Sequence, residues 1–315
     1  MYQRIALWSL LGLLAVSQAL LWYQMRYQKP STEAVQAQVD SSIASLPLPT
    51  AQLHRALPDS FSFAGELVPL NKPEVREALE YELVRVTYFH VSTVMSLKRA
   101  KRWFPLIEPI LAQHNIPEDL KYLVVVESNF SQATSPMQAK GFWQFLEKTG
   151  LEFGLRINAE VDERYDVLRA TEAACLYFKQ AHQKFQNWTL AAASYNIGMG
   201  GLKNFLDEQG VSNYYDVMTY AETDAYLYRA VAYKLLFEEP EAMGYGQPAG
   251  RHYQPWRYDS IVVEQPIFDL VAFAKNHQVT YKELKWHNPW LRTNRLTILD
   301  TRRPYVIVLP QQNKK

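Results

Sequence analysis

The chain has 315 residues, a hydrophobic fraction of 48% and a net charge of +1. These values exclude a disordered chain, and they exclude a global field strong enough to recruit nucleic acid. The single cysteine, Cys175, cannot form an internal disulfide, and it is expected to be a buried helix residue. The seven histidines are scattered without ligand spacing, so neither a metal site nor a cofactor is expected.

The N-terminus is predicted to be a membrane segment. Residues 5–23 are almost entirely apolar, with Arg4 before them and Arg26 and Lys29 after them. The run is about as long as a segment that spans a hydrocarbon core, whereas a cleaved signal peptide has a shorter apolar region. We expect residues 1–27 to form a signal-anchor, with a cleaved signal peptide as the alternative. The rest of the chain is then expected in the periplasm, anchored to a membrane by residues 5–23.

A helical body is predicted to follow a polar linker. Residues 28–60 are rich in Ala, Ser, Gln and Pro, which is typical of a linker. Residues 61–240 are expected to form one nearly all-α domain, because apolar residues recur there at helical spacing. The predicted helices are residues 73–90, 97–113, 116–127, 167–185, 189–195 and 226–237. The run of Ala191, Ala192 and Ala193 would let another backbone approach closely.

The pattern changes near the C-terminus. Residues 241–256 contain several glycines and prolines and are predicted to be a second linker. Residues 257–315 then read strand, helix, helix, strand, with strands at 260–264 and 305–310 and helices at 267–276 and 280–287. This order predicts a small α+β module of β-α-α-β type.

Glu127 is the candidate catalytic residue. It ends an apolar run, where desolvation favours the neutral, proton-donating carboxyl. Such a group can act as general acid in cleaving a glycosidic bond. The nearest later acids, Glu147 and Glu152, do not stand at an obvious paired spacing. A one-carboxylate site can still cleave if the sugar supplies the nucleophile, as the C6 hydroxyl of N-acetylmuramic acid can by closing onto C1.

Other polar and small residues extend this candidate site. Gly141 permits a tight backbone approach, and Gln144 offers both a donor and an acceptor to an acetamido or hydroxyl group. Tyr195 can hydrogen-bond the Glu127 carboxylate or the developing charge, and Asn196 can turn the chain while facing the cleft. Each of these residues alone also has a structural interpretation: a surface polar residue, a core aromatic or a helix cap.

The ordered motifs carry a family resemblance. They are Glu-Ser-x-Phe at 127–130, Gly-Phe-Trp-Gln-Phe at 141–145, Thr-Gly at 149–150, Tyr-Asn-x-Gly at 195–198 and Glu-Thr-x-Ala-Tyr at 222–226. Over residues 61–237 the chain resembles the catalytic domain of the soluble-lytic-transglycosylase type, closest to the membrane-bound murein transglycosylase D group. The resemblance implies a mainly α, goose-type-lysozyme-like fold with Glu127 as the single acid/base. It also implies substrate-binding roles for Ser135, Gln144, Phe145, Tyr195, Asn196, Glu222 and Tyr226.

The resemblance implies a peptidoglycan lytic transglycosylase that cleaves the MurNAc-GlcNAc β-1,4 bond and leaves 1,6-anhydro-MurNAc. Two alternatives stay open: a lysozyme-like hydrolase, for which Glu222 would be the second carboxylate, and a non-catalytic peptidoglycan-binding scaffold. The expected partners are peptidoglycan strands, a membrane through the N-terminal segment, and proteins of cell-wall synthesis or division. Asp162 and Arg164 resemble a structural element of the family and are expected to form a salt-bridged brace.

The C-terminal module resembles a divergent LysM repeat, a type that binds glycans containing N-acetylglucosamine. The resemblance depends on residues 280–284, 287–289 and 305–309. Trp286 and Trp290 are candidates for stacking on sugar faces, and packing inside the module's own core is the alternative for both.

Overall fold

A computed structural model describes residues 57–246, 252–300 and 302–311. The predicted membrane segment and most of the first linker lie outside these residues. No helix in the described part of the chain is long and apolar enough to span a membrane. From residue 57 onwards the described residues belong to one compact unit.

The described chain is mainly helical, with two small sheets. The strands are β1 (Phe61–Phe63), β2 (Glu66–Val68), β3 (Tyr258–Val263) and β4 (Tyr305–Pro310). The helices are α1 (Pro73–Tyr88), α2 (His90–Gln113), α3 (Tyr122–Ser128), α4 (Glu147–Glu152), α5 (Val167–Phe185), α6 (Trp188–Ile197), α7 (Met199–Gln209), α8 (Ala221–Glu238), α9 (Leu270–Asn276) and α10 (Tyr281–His287). Short 3-10 turns lie at Glu118–Lys121, Glu163–Tyr165 and Tyr214–Asp216.

The hairpin β1–β2 was not predicted, and it helps to place α6. Its two-residue loop has positive φ at Ala64 and Gly65 (54° and 81°), as a tight hairpin turn requires. Glu66, at the start of β2, accepts hydrogen bonds from the backbone amides of Trp188 and Thr189, at 2.5 and 3.0 Å. A carboxylate at this position provides acceptors for the unpaired amides of the first helical turn, and its negative charge interacts favourably with the positive end of the helix dipole. The hairpin therefore fixes the start of the helix that carries Tyr195.

The central helix of the first domain is α3, and its environment explains its sequence. Leu123, Val124 and Val125 are all almost fully buried, which matches the apolar run before Glu127. Helix α8 packs on α3 and α1, while α5 packs on α6 and α2. Ala191, Ala192 and Ala193 are fully buried in α6, as the close backbone approach predicted there requires. Cys175 is also fully buried and has a free thiol.

The C-terminal module has the predicted β-α-α-β order. Strands β3 and β4 pair antiparallel, with Tyr258 opposite Pro310 and Val263 opposite Tyr305. The two helices cover this sheet, and Thr280 begins α10 with a capping box to Glu283. The module packs directly on the first domain: a short antiparallel bridge joins Val161 to Leu291, and the Asp162 amide donates to the Trp290 carbonyl at 2.9 Å.

The segment predicted as the second linker is docked where the structure describes it. Met243 and Tyr245 are buried in the core of the first domain. The Tyr245 hydroxyl donates to the carbonyl of Thr87 and lies 2.9 Å from Nδ1 of His90. After residues 247–251, which lie outside the described residues, the amide of Tyr253 donates to the carbonyl of Lys98.

Candidate active site

Glu127 lies in the last turn of α3, where the chain reverses sharply. The next residues, Asn129 and Phe130, both have positive φ (50° and 53°). The Asn129 amide group donates to the backbone and hydroxyl oxygens of Ser92, and the Ser128 hydroxyl donates to the Phe142 carbonyl at 2.8 Å. These bonds hold the end of α3 so that Glu127 stands at the edge of the apolar core, partly accessible to solvent.

The Glu127 carboxyl is held by Tyr226. The Tyr226 hydroxyl donates to Oε1 of Glu127 at 2.6 Å, and the tyrosine ring is 2% exposed. Burial raises the pKa of Glu127 to about 7, while the Tyr226 hydrogen bond and Arg229 oppose the rise and Glu222 adds to it. Glu127 is therefore divided between its acid and base forms near neutral pH, so it can donate or accept a proton there.

Arg229 forms two ion pairs near the Glu127 carboxyl, and one of them connects α8 to α1. Arg229 donates from Nη1 to Glu222 and from Nε to Glu82, at 2.9 Å in both cases. Glu82 is only 2% exposed and also accepts from Arg85 at 3.1 Å. Glu82 and Arg229 were not predicted from the sequence as site residues. The signal was available, because Glu82 falls on the apolar stripe of α1 between Leu79 and Val86, where a lone carboxylate needs a partner.

The turn that contains Gln144 is built on Gly141. Gly141 has φ of +77°, and a Cβ at this position would lie 1.8 Å from the Arg164 carbonyl oxygen. The Gln144 amide group donates to the Gly141 carbonyl at 2.7 Å and to the Ala133 carbonyl at 3.2 Å. Its side-chain NH₂ therefore holds the turn, while its amide oxygen has no hydrogen bond among the described residues. The close approach predicted at Gly141 is confirmed.

The Asp162–Arg164 pair braces the same turn. Arg164 donates from Nε and Nη2 to the two carboxylate oxygens of Asp162, at 2.9 and 2.8 Å, and both residues are buried. A third donor nitrogen of Arg164 reaches the carbonyls of Gln138 and Phe145. The predicted structural role for this pair is confirmed.

Tyr195 and Phe145 support the site from within the core. The Tyr195 hydroxyl donates to the Trp143 carbonyl at 2.8 Å. The hydrogen bond to the Glu127 carboxylate, one of the two roles considered for Tyr195, comes from Tyr226. The Phe145 ring is 3% exposed and packs edge-on against Tyr195, with ring centres 5.8 Å apart. It therefore supports Tyr195 and leaves little of its side chain exposed, and substrate contact by Phe145 stays a prediction.

The remaining predicted residues do not bond to Glu127 directly. Asn196 is exposed, and its amide oxygen accepts from the Thr223 hydroxyl at 2.8 Å, which ties α6 to α8. Ser135 closes a loop, with its hydroxyl oxygen accepting from the Ala139 amide at 3.0 Å. Glu222 is exposed and paired with Arg229. Among the described residues no group of three or more His, Cys, Asp or Glu could hold a metal ion.

Comparisons with known families agree with this architecture. The family profile described as "Transglycosylase SLT domain" matches residues 105–217, and the profile described as "Soluble lytic transglycosylase C-terminal LysM-like domain" matches residues 259–313. The first match contains Glu127, Ser135, Gln144, Tyr195 and Asn196, and it ends before α8.

Two curated relatives are similar over the same region. Both are named membrane-bound lytic murein transglycosylase D, one from Escherichia coli strain K12 and one from Escherichia coli O6:H1. Each is 33% identical over 147 residues, which is 45% of this chain and 32% of the relative. The match thus spans about a third of the relatives' length. The predicted resemblance is confirmed: the chain carries a transglycosylase SLT domain followed by a soluble-lytic-transglycosylase C-terminal LysM-like domain.

Proposed function

We propose that the protein is a peptidoglycan lytic transglycosylase that cleaves the MurNAc-GlcNAc β-1,4 bond and forms 1,6-anhydro-MurNAc. The observation that carries the proposal is the state of Glu127. Its pKa is raised to about 7 by burial, and one of its oxygens accepts a hydrogen bond from Tyr226. It lies within a region that matches an SLT domain. Such a carboxyl can deliver a proton and then take one back at the same pH.

The reaction needs one carboxyl and no water. Protonated Glu127 donates its proton to the glycosidic oxygen as the bond from that oxygen to C1 of MurNAc breaks. The positive charge that develops at C1 is quenched by the C6 hydroxyl of the same sugar, which forms the new C1–O6 bond. The Glu127 carboxylate takes the proton of that hydroxyl and returns to its starting state. The atoms balance as two products, one of them an anhydro sugar.

Tyr226 orients the acid in this scheme. Because its hydroxyl occupies Oε1, Oε2 of Glu127 is left to carry the exchanged proton. Tyr226 is fixed in turn by the packing of α8 on α3. Arg229 restrains the Glu222 side chain by a hydrogen bond, so the negative charge that Glu222 adds near Glu127 has a fixed position. These residues fix the position of the Glu127 carboxyl and shift its pKa, whereas Glu127 is the residue that exchanges protons with the substrate.

Substrate binding is proposed for the polar residues on the accessible side of the site. The Gln144 amide oxygen accepts no hydrogen bond among the described residues, and Asn196 and Glu222 are exposed. We assign them to hydroxyl and acetamido groups of the glycan, with Ser135 near the muramyl end. The LysM-like module is proposed to bind glycan as well. Trp290 is 4% exposed and stacks on Tyr305 in the module core, whereas Trp286 is 63% exposed and is free to meet a sugar.

We also propose a cell-envelope location, with the body in the periplasm and residues 5–23 as the membrane anchor. The support is the apolar N-terminal sequence and the likeness to proteins named membrane-bound. Cell-wall synthesis or division proteins are the proposed partners. Fractionation of cells that express the full chain tests the location: membrane-bound protein is expected, and full-length protein in the soluble cytoplasmic fraction would contradict it.

The function is tested by digesting purified sacculi with the full chain in ¹⁸O-labelled water. Intramolecular attack by the C6 hydroxyl predicts soluble muropeptides that lack one water and carry no label. A hydrolase on the same fold would give reducing ends that contain ¹⁸O. Binding to sacculi without release of any muropeptide would favour a scaffold role.

A further inference from the structure

A cavity lies where the C-terminal module meets the first domain. Its volume is about 900 Å³, in the range of a ligand site. Its walls come from α2, from residues 165–172 at the start of α5, and from residues 285–290 at the end of α10. None of the residues proposed to react with or bind substrate at the Glu127 site lines this cavity, although Phe130 and Phe142, which help to hold the end of α3, contribute to its wall.

Aromatic side chains form much of its wall. Trp103 and Trp256 meet edge-to-face with ring centres 4.9 Å apart, and Trp256 meets His287 at 4.4 Å. Trp286 also lines the cavity and is 63% exposed. Large apolar rings that stay accessible beside polar groups are typical of surfaces that bind amphipathic ligands such as sugars.

The cavity also has an excess of positive charge. Arg99, Arg102 and Lys285 line it, and among the described residues none of the three forms an ion pair with a carboxylate. Arg99 donates to the Asn129 carbonyl at 2.8 Å, Arg102 donates to the Gln254 carbonyl at 3.1 Å, and Lys285 donates to the Thr293 carbonyl at 3.1 Å. Lys285 also donates to the Leu291 carbonyl, and the Arg102 guanidinium lies 4.9 Å from the ring centres of both Tyr253 and Trp256. These carbonyls and rings stabilise the cations without neutralising their charge.

The acids in the wall do not remove this excess. Glu172 is paired with Arg169 at 3.0 Å. Asp166 caps α5 by accepting from the amides of Leu168 and Arg169, and burial raises its pKa to about 6. Three cations therefore face the cavity with no carboxylate assigned to them within the described residues.

One polar atom in the wall is unpartnered. Nδ1 of His287 is buried and has no hydrogen bond within the described residues. Burial lowers the pKa of His287, which favours the neutral ring near pH 7. A neutral imidazole nitrogen can accept from or donate to a ligand hydroxyl or amide, depending on the tautomer.

We propose that this cavity is a second, non-catalytic glycan site that binds the muramyl unit of peptidoglycan with its carboxylate-bearing peptide. The sugar would lie on the exposed ring of Trp286, beside the Arg102–Trp256 contact, and the carboxylate would meet Arg99, Arg102 and Lys285. The identity of the glycan rests on the proposed function, whereas the preference for an anionic, sugar-like ligand rests on the cavity alone. Because both domains build the site, an occupied cavity would hold a strand on the protein independently of the cleavage step.

The test is calorimetric titration of the full chain with N-acetylmuramyl-L-alanyl-D-isoglutamine. This probe has no MurNAc-GlcNAc bond, so it cannot be cleaved. We expect saturable binding that weakens about tenfold or more in Trp286→Ala and in Arg102→Gln. Phe268→Ala is the matched control, because Phe268 is 84% exposed on the same module and does not line the cavity. Uncharged N-acetylglucosamine should bind at least about tenfold more weakly than the probe.

The proposal is overturned if the probe does not bind at millimolar concentration. Equal affinity in the wild type, Trp286→Ala and Arg102→Gln would also overturn it, because binding would then lie elsewhere, including at the Glu127 cleft. Trp286 is exposed, so its substitution keeps the test valid if Arg102→Gln fails to fold. A chain that binds the probe here but makes no anhydro product would sustain this site and refute the proposed function, and the converse result would do the opposite.

Discussion

Replacing Tyr226 with Phe removes one hydroxyl and leaves the packing of α8 in place. That hydroxyl donates to Oε1 of Glu127 at 2.6 Å, and it opposes the rise in the pKa of Glu127 that burial causes. A hydrogen bond to a charged group contributes about 1.5–3 kcal/mol. At 1.36 kcal/mol per pKa unit, its loss should raise the pKa of Glu127 from about 7 by about 1–2 units.

The assay is the pH dependence of kcat/KM for the release of soluble muropeptides from sacculi. The proposed mechanism needs the acid form of Glu127 for its first step, so activity should fall as pH rises through the pKa of Glu127. In Tyr226→Phe this alkaline limb should move up by about 1–2 pH units. Tyr195→Phe is the matched control, since that hydroxyl bonds to the Trp143 carbonyl and its loss should leave the limb in place. A limb that stays fixed or moves down in Tyr226→Phe would refute this account of the Glu127 environment.

Three further predictions concern the same site. Glu222→Gln removes an exposed negative charge that raises the pKa of Glu127, so the alkaline limb should move down by less than about one unit, opposite in sign to Tyr226→Phe; an upward shift would contradict the assignment. Burial holds the pKa of Glu127 above its ordinary value of 4.5, so the folded state retains a proton that the unfolded chain has released, and stability should fall as pH rises from about 4.5 to about 7. Glu127→Gln should abolish that loss of stability, which amounts to at most about 3 kcal/mol. The measurement is the free energy of unfolding of both proteins by denaturant at pH 5 and pH 8. An equal change in this free energy between the two pH values in both proteins would count against a buried acid. Gly141→Ala places a Cβ against the Arg164 carbonyl, whereas at Gly154, which has a similar positive φ, a Cβ meets nothing within 4 Å. Denaturant unfolding should therefore show Gly141→Ala to be less stable than the control Gly154→Ala by about 2 kcal/mol or more. Equal losses of stability in the two variants would show that the clash does not destabilise the fold.

Much of the fold was accessible from the sequence because its signals are local. Helix α5 was predicted with its observed bounds, since Asp166 caps it and Phe185 ends its apolar stripe. The β-α-α-β order of the C-terminal module followed in the same way from short runs with clear boundaries. Helix α2 begins at His90, seven residues before the predicted start at residue 97. The earlier start was not predicted because β-branched residues such as Val91 and Thr93 weaken the helical signal of this segment. The hairpin β1–β2 is too short to show a periodic pattern.

The contacts within the site were less predictable because they join distant parts of the chain. Glu127 and Tyr226 were both identified as site residues, but their hydrogen bond spans 99 positions and follows from the packing of α8 on α3. The sequence offered Tyr195 as a candidate donor to the Glu127 carboxylate or to the developing charge, and the structure places the Tyr226 hydroxyl at the carboxylate. The docking of the C-terminal module on residues 160–165 is also non-local. Its contacts include the Val161–Leu291 bridge, the Asp162–Trp290 backbone hydrogen bond, and the ion pairs of Arg303 with Glu163 at 3.1 Å and of Arg295 with Glu160 at 2.6 Å.

The central claim is that one carboxyl, that of Glu127, performs both proton transfers and produces anhydro sugars. The most direct measurement is mass spectrometry of the muropeptides released from purified sacculi by the wild type, Glu127→Gln and Glu222→Gln, each as the full chain. The account predicts anhydro-muropeptides from the wild type and from Glu222→Gln, and none from Glu127→Gln. Anhydro products from Glu127→Gln, or reducing ends from the wild type that disappear in Glu222→Gln, would contradict it.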